Sequence, residues 1–288
     1  MQLSTNGYRF DLVESLGLRR AALHDHHAWG AVMDHAETDL CVYTLDDLRT
    51  IEQAEELANT EDQKQVNSCG GHGGTTAFER AYEIDQGVRV QFSRMYLYLR
   101  GKAQDGIRGD NGMTISGGVK QLRERGCCLE STFPYPGRYV QSIPTGADAE
   151  AAKYKLGAAV DVTASGDVNE FAQRFLGHNM GALYNGCSWT DAFSNPVNGV
   201  IERWATPTSR DGGHAWALVG LSPRQDSRGY HYYWLANSWG VSWGRRGFAE
   251  LAPEAFAGMC AHRWTEAMAL SNPIVPTARK RVTWNLSS

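Results

Sequence analysis

The sequence predicts an α+β fold in which a helical first part faces a strand-rich second part across a cleft. Two observations predict it. Apolar residues recur at helical spacing through about residue 125, and beyond about residue 215 they gather into short runs bounded by Gly, Pro, Ser and Asn. The chain has 288 residues, 42% of them hydrophobic and 21% charged, enough for a sizeable core.

Residues 1–43 are mixed in character. Thr44 and Asp47 form a capping-box pattern, and Leu45, Leu48, Ile51, Ala54, Leu57 and Ala58 follow on one side of a helix ending near Asn59. A polar link then leads to Cys69 and to Gly70-Gly71-His72-Gly73-Gly74. Because Gly costs about 1 kcal/mol per helical position relative to Ala, the next helix is expected to begin late, at about residue 75, or to be irregular. Two more helices are expected over 92–103 and 114–125, and Phe133-Pro134-Tyr135-Pro136-Gly137 marks a turn-rich break. Strands are expected over 215–221, 230–236 and 248–251. This divides the chain into an N-terminal extension (1–59), a helical lobe (60–150), a strand-rich lobe (151–270) and a C-terminal tail (271–288).

Composition narrows the partners. A net charge of −4 offers no footprint for nucleic acid, and the one basic cluster, Arg279-Lys280-Arg281, reads as a solvated tail. No run reaches the roughly 18 apolar residues of a membrane span, and residues 1–20 do not have the form of a signal peptide. With six cysteines in so long a chain, reduced thiols are the expectation, and with them a cytoplasmic or virion-associated setting. His24, Asp25, His26, His27, Asp34 and His35 fit no standard metal spacing, and no metal or organic cofactor is expected. Cys127-Cys128 reads as two structural thiols, and the sequon at Asn285 carries no meaning without secretion. Oligomeric state is not legible.

Three segments carry chemistry. Nucleophilic catalysis by a thiol needs a cysteine, a base, a group that orients the base, and donors for an oxyanion. Asp62-Gln63-Lys64-Gln65-Val66-Asn67-Ser68-Cys69 supplies the thiol with an amide side chain six positions upstream. Gly212-Gly213-His214-Ala215 puts a histidine where a strand begins, 145 residues after Cys69. Ala236-Asn237-Ser238-Trp239-Gly240 follows the next strand, with Trp243-Gly244 just beyond.

These segments resemble the papain-like cysteine peptidases, most of all their shorter prokaryotic and viral branch. Residues 62–69 match that branch's nucleophile motif at Asp62, Gln63, Gln65, Ser68 and Cys69. Residues 237–248 match its asparagine motif nearly throughout, and Asp110-Asn111-Gly112 is similar to its substrate-binding glycine turn. The resemblance covers about residues 60–255. It implies a papain-like two-lobed fold with a barrel-like strand lobe, and a peptidase acting on polypeptides. Cys69 would be the nucleophile, His214 the base and acid, Asn237 its orienter and Gln63 an oxyanion donor. Gly112 would let a substrate backbone approach, and Trp239 would shield the His214–Asn237 pair from water. Val66 and Asp110 stand where the secreted members have a disulfide. The alternatives are an inactive papain-fold binding protein, which the glycines behind Cys69 favour, and an amidase or acyltransferase acting on peptidoglycan or amines. His72, three residues after Cys69, is a rival for alignment that the Gln63 spacing argues against.

Overall fold

Described in the computed structural model are residues 40–47, 61–208 and 211–271. The histidine-rich segment 24–35, the helix expected beyond residue 47, the basic cluster and the sequon lie outside them. Of the first helix the capping box is seen, with Thr44 N donating to Asp47 Oδ2 at 2.7 Å and Asp47 N to Thr44 Oγ1 at 3.2 Å.

The first described helix, α1 (Cys69–Gln86), begins at the cysteine itself, with Ser68 as its N-cap. The expected late start is therefore corrected. Tertiary packing outweighs propensity, because each glycine of the stretch marks a place where another element presses against the helix. A Cβ at Gly70, Gly71, Gly73 or Gly74 would lie under 3.0 Å from Met113, Arg94 O, Trp216 N or Leu97 respectively. Gly73→Ala thus gains about 1 kcal/mol of helix propensity but drives a methyl into the Trp216 backbone, an overpacking cost of about 1–3 kcal/mol. The expected result is a lower urea midpoint; a raised midpoint would contradict the close approach.

Helices α2 (Arg94–Gln104) and α3 (Ile115–Glu124) lie near their expected places. Ser93 Oγ accepts from Tyr96 N, and Thr114 Oγ1 accepts from Gly117 N, so each has a side-chain cap. A short α4 (Ala147–Ala151) follows. The second half holds β1 (Ala158–Asp161), α5 (Val168–Gly177), β2 (Ala182–Trp189), α6 (Asp191–Ser194), β3 (Val200–Ile201), β4 (Gly212–Gln225), β5 (His231–Ala236), β6 (Phe248–Leu251), α7 (Pro253–Cys260) and β7 (Glu266–Ser271). Four of these strands and two eight-to-ten-residue helices were not predicted, since β1, β2 and β7 are buried throughout and lack alternation.

The strands form one sheet in the order β1-β7-β2-β4-β5-β6-β3, antiparallel except for β3 beside β6. Its end strands β1 and β3 do not pair with each other, so the barrel-like lobe becomes an open mixed sheet. Alternation along β4 explains the layering: Ala215, Ala217 and Val219 join the core shared with α1–α3, while Trp216, Leu218 and Leu221 join the core beneath α5 and α7. The sheet is the central layer, with the small alanines on the side where α1 packs closest.

Candidate active site

Two contacts fix the register of α1 on β4. Gly73 packs on the Trp216 backbone, and Arg80 Nε donates to Val219 O at 3.3 Å. Seven helical residues rise about 10.5 Å and three strand residues about 10 Å, so helix and strand advance together. One turn back from Gly73 stands Cys69, and two residues back from Trp216 stands His214. Cys69 is thus the first residue of α1 and His214 the third of β4, near the starts of two elements that pack together.

Cys69 is fully buried. The loop before it is held from both sides. Gln63 N donates to Ser238 O at 2.8 Å, and Gly240 N donates to Glu61 O at 3.0 Å. The Gln63 amide is oriented by two bonds: Oε1 accepts from Ser238 Oγ at 2.8 Å, and Nε2 donates to Val66 O at 2.9 Å. Its NH₂ group is therefore turned toward the residues leading into Cys69. Ser68 Oγ lies 2.7 Å from Tyr135 Oη, which donates to Gln63 O at 2.8 Å.

His214, the third residue of β4, pairs across to Cys187 on β2. Its Nε2 lies 2.6 Å from Asn237 Oδ1. Ser238 N also meets that atom, at 2.8 Å, and a backbone N–H can only donate. The Asn237 atom facing the ring is thus its carbonyl oxygen, so Nε2 carries the proton and Nδ1 is the basic nitrogen of the neutral ring. The imidazole is flanked by two indoles: Trp239 at 4.8 Å and 40°, and Trp189 at 4.4 Å and 72° between centroids and planes. Trp189 was not singled out in the sequence, because it ends an unrecognised strand. An open pocket beside Trp239 is lined by Ser194, Asn195, Pro196, Ser242, Trp243 and Gly244.

Gly112 has φ 76° and is joined to the nucleophile loop through a carboxylate. Asp110 Oδ1 accepts from Asn67 N at 3.1 Å and from Tyr98 Oη at 2.7 Å, and Gly112 N donates to Tyr98 Oη at 3.1 Å. The glycine turn is thereby tied to Cys69, but its N–H is already engaged within the protein.

The remaining candidates separate cleanly. His72 meets Glu61, with Nδ1 3.0 Å from Oε2. All six cysteines are free. Burial pushes the Cys128 and Cys187 thiols up to about 12 and Cys127 well above the ordinary range, which removes the thiolate a nucleophile needs. Among the described residues no helix is long and apolar enough to cross a membrane.

Residues 45–268 match the family model described as papain family cysteine protease. This chain belongs to the papain family. Against fruit bromelain of Ananas comosus it is 25% identical over 212 residues, which are 69% of this chain and 53% of the relative, so the match spans about half of that protein's length. Xylellain, a cysteine protease from Xylella fastidiosa, superposes with a TM-score of 0.66 at 18% identity, covering 94% of this chain and 97% of the other. Bromelain of Ananas comosus in complex with the E64 inhibitor gives 0.56 at 15%, covering 76% and 96%. At these identities the superpositions show a common papain-like α+β fold.

Proposed function

We propose that this chain is a cysteine peptidase that hydrolyses peptide bonds of polypeptides. The Cys69 thiolate, paired with the His214 imidazolium, attacks the scissile carbonyl carbon. The carbonyl electrons move to oxygen, and that oxyanion is met by the Gln63 amide and the Cys69 N–H at the helix N-terminus. His214 then protonates the leaving amine, and water, deprotonated by His214, releases the acyl group. Asn237 holds the ring in its reactive tautomer, Trp239 covers that pair, and the Gly112 turn lies beside the substrate path.

The observation that carries this reading is the His214–Asn237 bond, whose direction Ser238 fixes. The regular helix at Cys69 also supports it, since the reading of an inactive binding protein drew on an interrupted helix. The test is turnover of a denatured protein by wild type and by Gln63→Ala. One oxyanion donor is worth ~10²–10³ in rate, so kcat is expected to fall by that factor with KM little changed. An unchanged kcat would leave Gln63 a structural residue; wild-type turnover confined to cell-wall peptides would replace the peptidase with an amidase.

A further inference from the structure

The reaction proposed above leaves unused a buried ionic cluster one turn behind Cys69. Glu61, Arg94 and His72 form its centre, with side chains 13%, 8% and 2% exposed. Arg94 places Nε 2.8 Å and Nη2 2.6 Å from Glu61 Oε1. His72 Nδ1 lies 3.0 Å from the other oxygen. The same guanidinium faces Glu79 at 3.3 Å and Glu130 at 3.5 Å. Burial raises the carboxyl of Glu79, aided by Glu61, and it ends well above the usual range. Burial also opposes ionisation of Glu61, but Arg94 and His72 override it and hold its carboxyl low. The strongest charge pairing in the cluster is thus concentrated on one residue.

That residue joins two parts of the site. Its side chain is gripped by α1 through His72 and by α2 through Arg94. Its backbone is bonded to the Asn237 loop, since Glu61 O accepts from Gly240 N and Asp62 bridges Trp239. Gln63 follows two residues later, and Lys64 beyond it has φ 53°, so the turn gives little slack. We propose that Glu61 is a positioning residue that, clamped by Arg94 and His72, sets the Gln63 amide against the start of the Cys69 helix. A cluster that only stabilised the helical layer would have no need to reach this segment.

The inference rests on Gln63 serving the proposed reaction, and the experiment separates the two. Glu61→Gln, Gln63→Ala and the double variant are compared for kcat and KM on a peptide substrate and for alkylation of Cys69 by iodoacetamide, a displacement that forms no oxyanion. Glu61→Gln is expected to lower kcat about 10–100-fold, the scale of a misplacement near 1 Å, with KM and alkylation within about threefold. The double variant is expected to match Gln63→Ala, because a residue acting through Gln63 has nothing left to position. Losses that multiply, or an unchanged kcat in Glu61→Gln, overturn the proposal. If Gln63→Ala itself keeps full kcat, the oxyanion assignment fails and this inference with it. Should Glu61→Gln not fold, His72→Leu removes the lighter clamp and is put through the same cycle, with the same non-additivity expected.

Discussion

Cys69→Ala is expected to abolish peptide hydrolysis and covalent labelling by an epoxysuccinyl inhibitor, with the fold retained. Removal of the nucleophile costs on the order of 10⁶ in kcat where a catalytic group acts as part of a unit. The substitution deletes one sulfur from a fully buried position and adds no atom where Gly70 or Gly73 meets its neighbours. It also leaves α1 with a better helix former at its first residue. Loss of activity therefore reports chemistry rather than unfolding. Labelling that persists at another cysteine, with activity intact, would sink the assignment. Burial at Cys127, Cys128 and Cys187 argues against labelling at those three.

His214→Ala is expected to have the second largest effect, a loss of roughly 10⁴–10⁶ in kcat. Without the ring, no group takes the thiol proton or returns one to the leaving amine. Asn237 remains in place, since Ser238 N still donates to its Oδ1 and its own N–H still donates to Gly247 O at 3.0 Å. The flanking indoles lose a neighbour, so some stability is lost as well. A kcat within tenfold of wild type, in a folded variant, would show that the base lies elsewhere.

The candidate site was read from shorter stretches of sequence than the fold around it. Cys69, His214, Asn237 and Gln63 stand in short segments whose residue types answer directly to the needs of thiol chemistry, and those segments survive in linear order. The helices 94–104 and 115–124 and the strands at β4, β5 and β6 announced themselves by period and by bounding turns. Strands β1, β2 and β7 did not, because they are buried throughout and polar or small residues such as Asn185, Gly186, Ser188 and Glu266 interrupt both alternation and any apolar run. The glycines after Cys69 misled for a related reason. Propensity is a local quantity, whereas Gly71 and Gly73 answer to Arg94 and Trp216, which are 23 and 143 positions away in the chain. Trp189 ends a strand that the sequence did not reveal, and Glu61, just before the cysteine motif, is tied to His72 and Arg94 by contacts that local sequence does not show. The open sheet was likewise invisible, because strand order is fixed by which edges remain unpaired.

The central claim is that α1 and β4 bring Cys69 and His214 together as an ion pair. The pH dependence of Cys69 alkylation by iodoacetamide tests it most directly. An isolated thiol reacts tenfold faster with each pH unit up to about 8.5, where it ionises. The account predicts that wild-type Cys69 alkylates near pH 6 at a rate close to its rate at pH 8, and that His214→Ala restores the steep rise toward about 8.5. Wild type and His214→Ala following the same steep curve would contradict it.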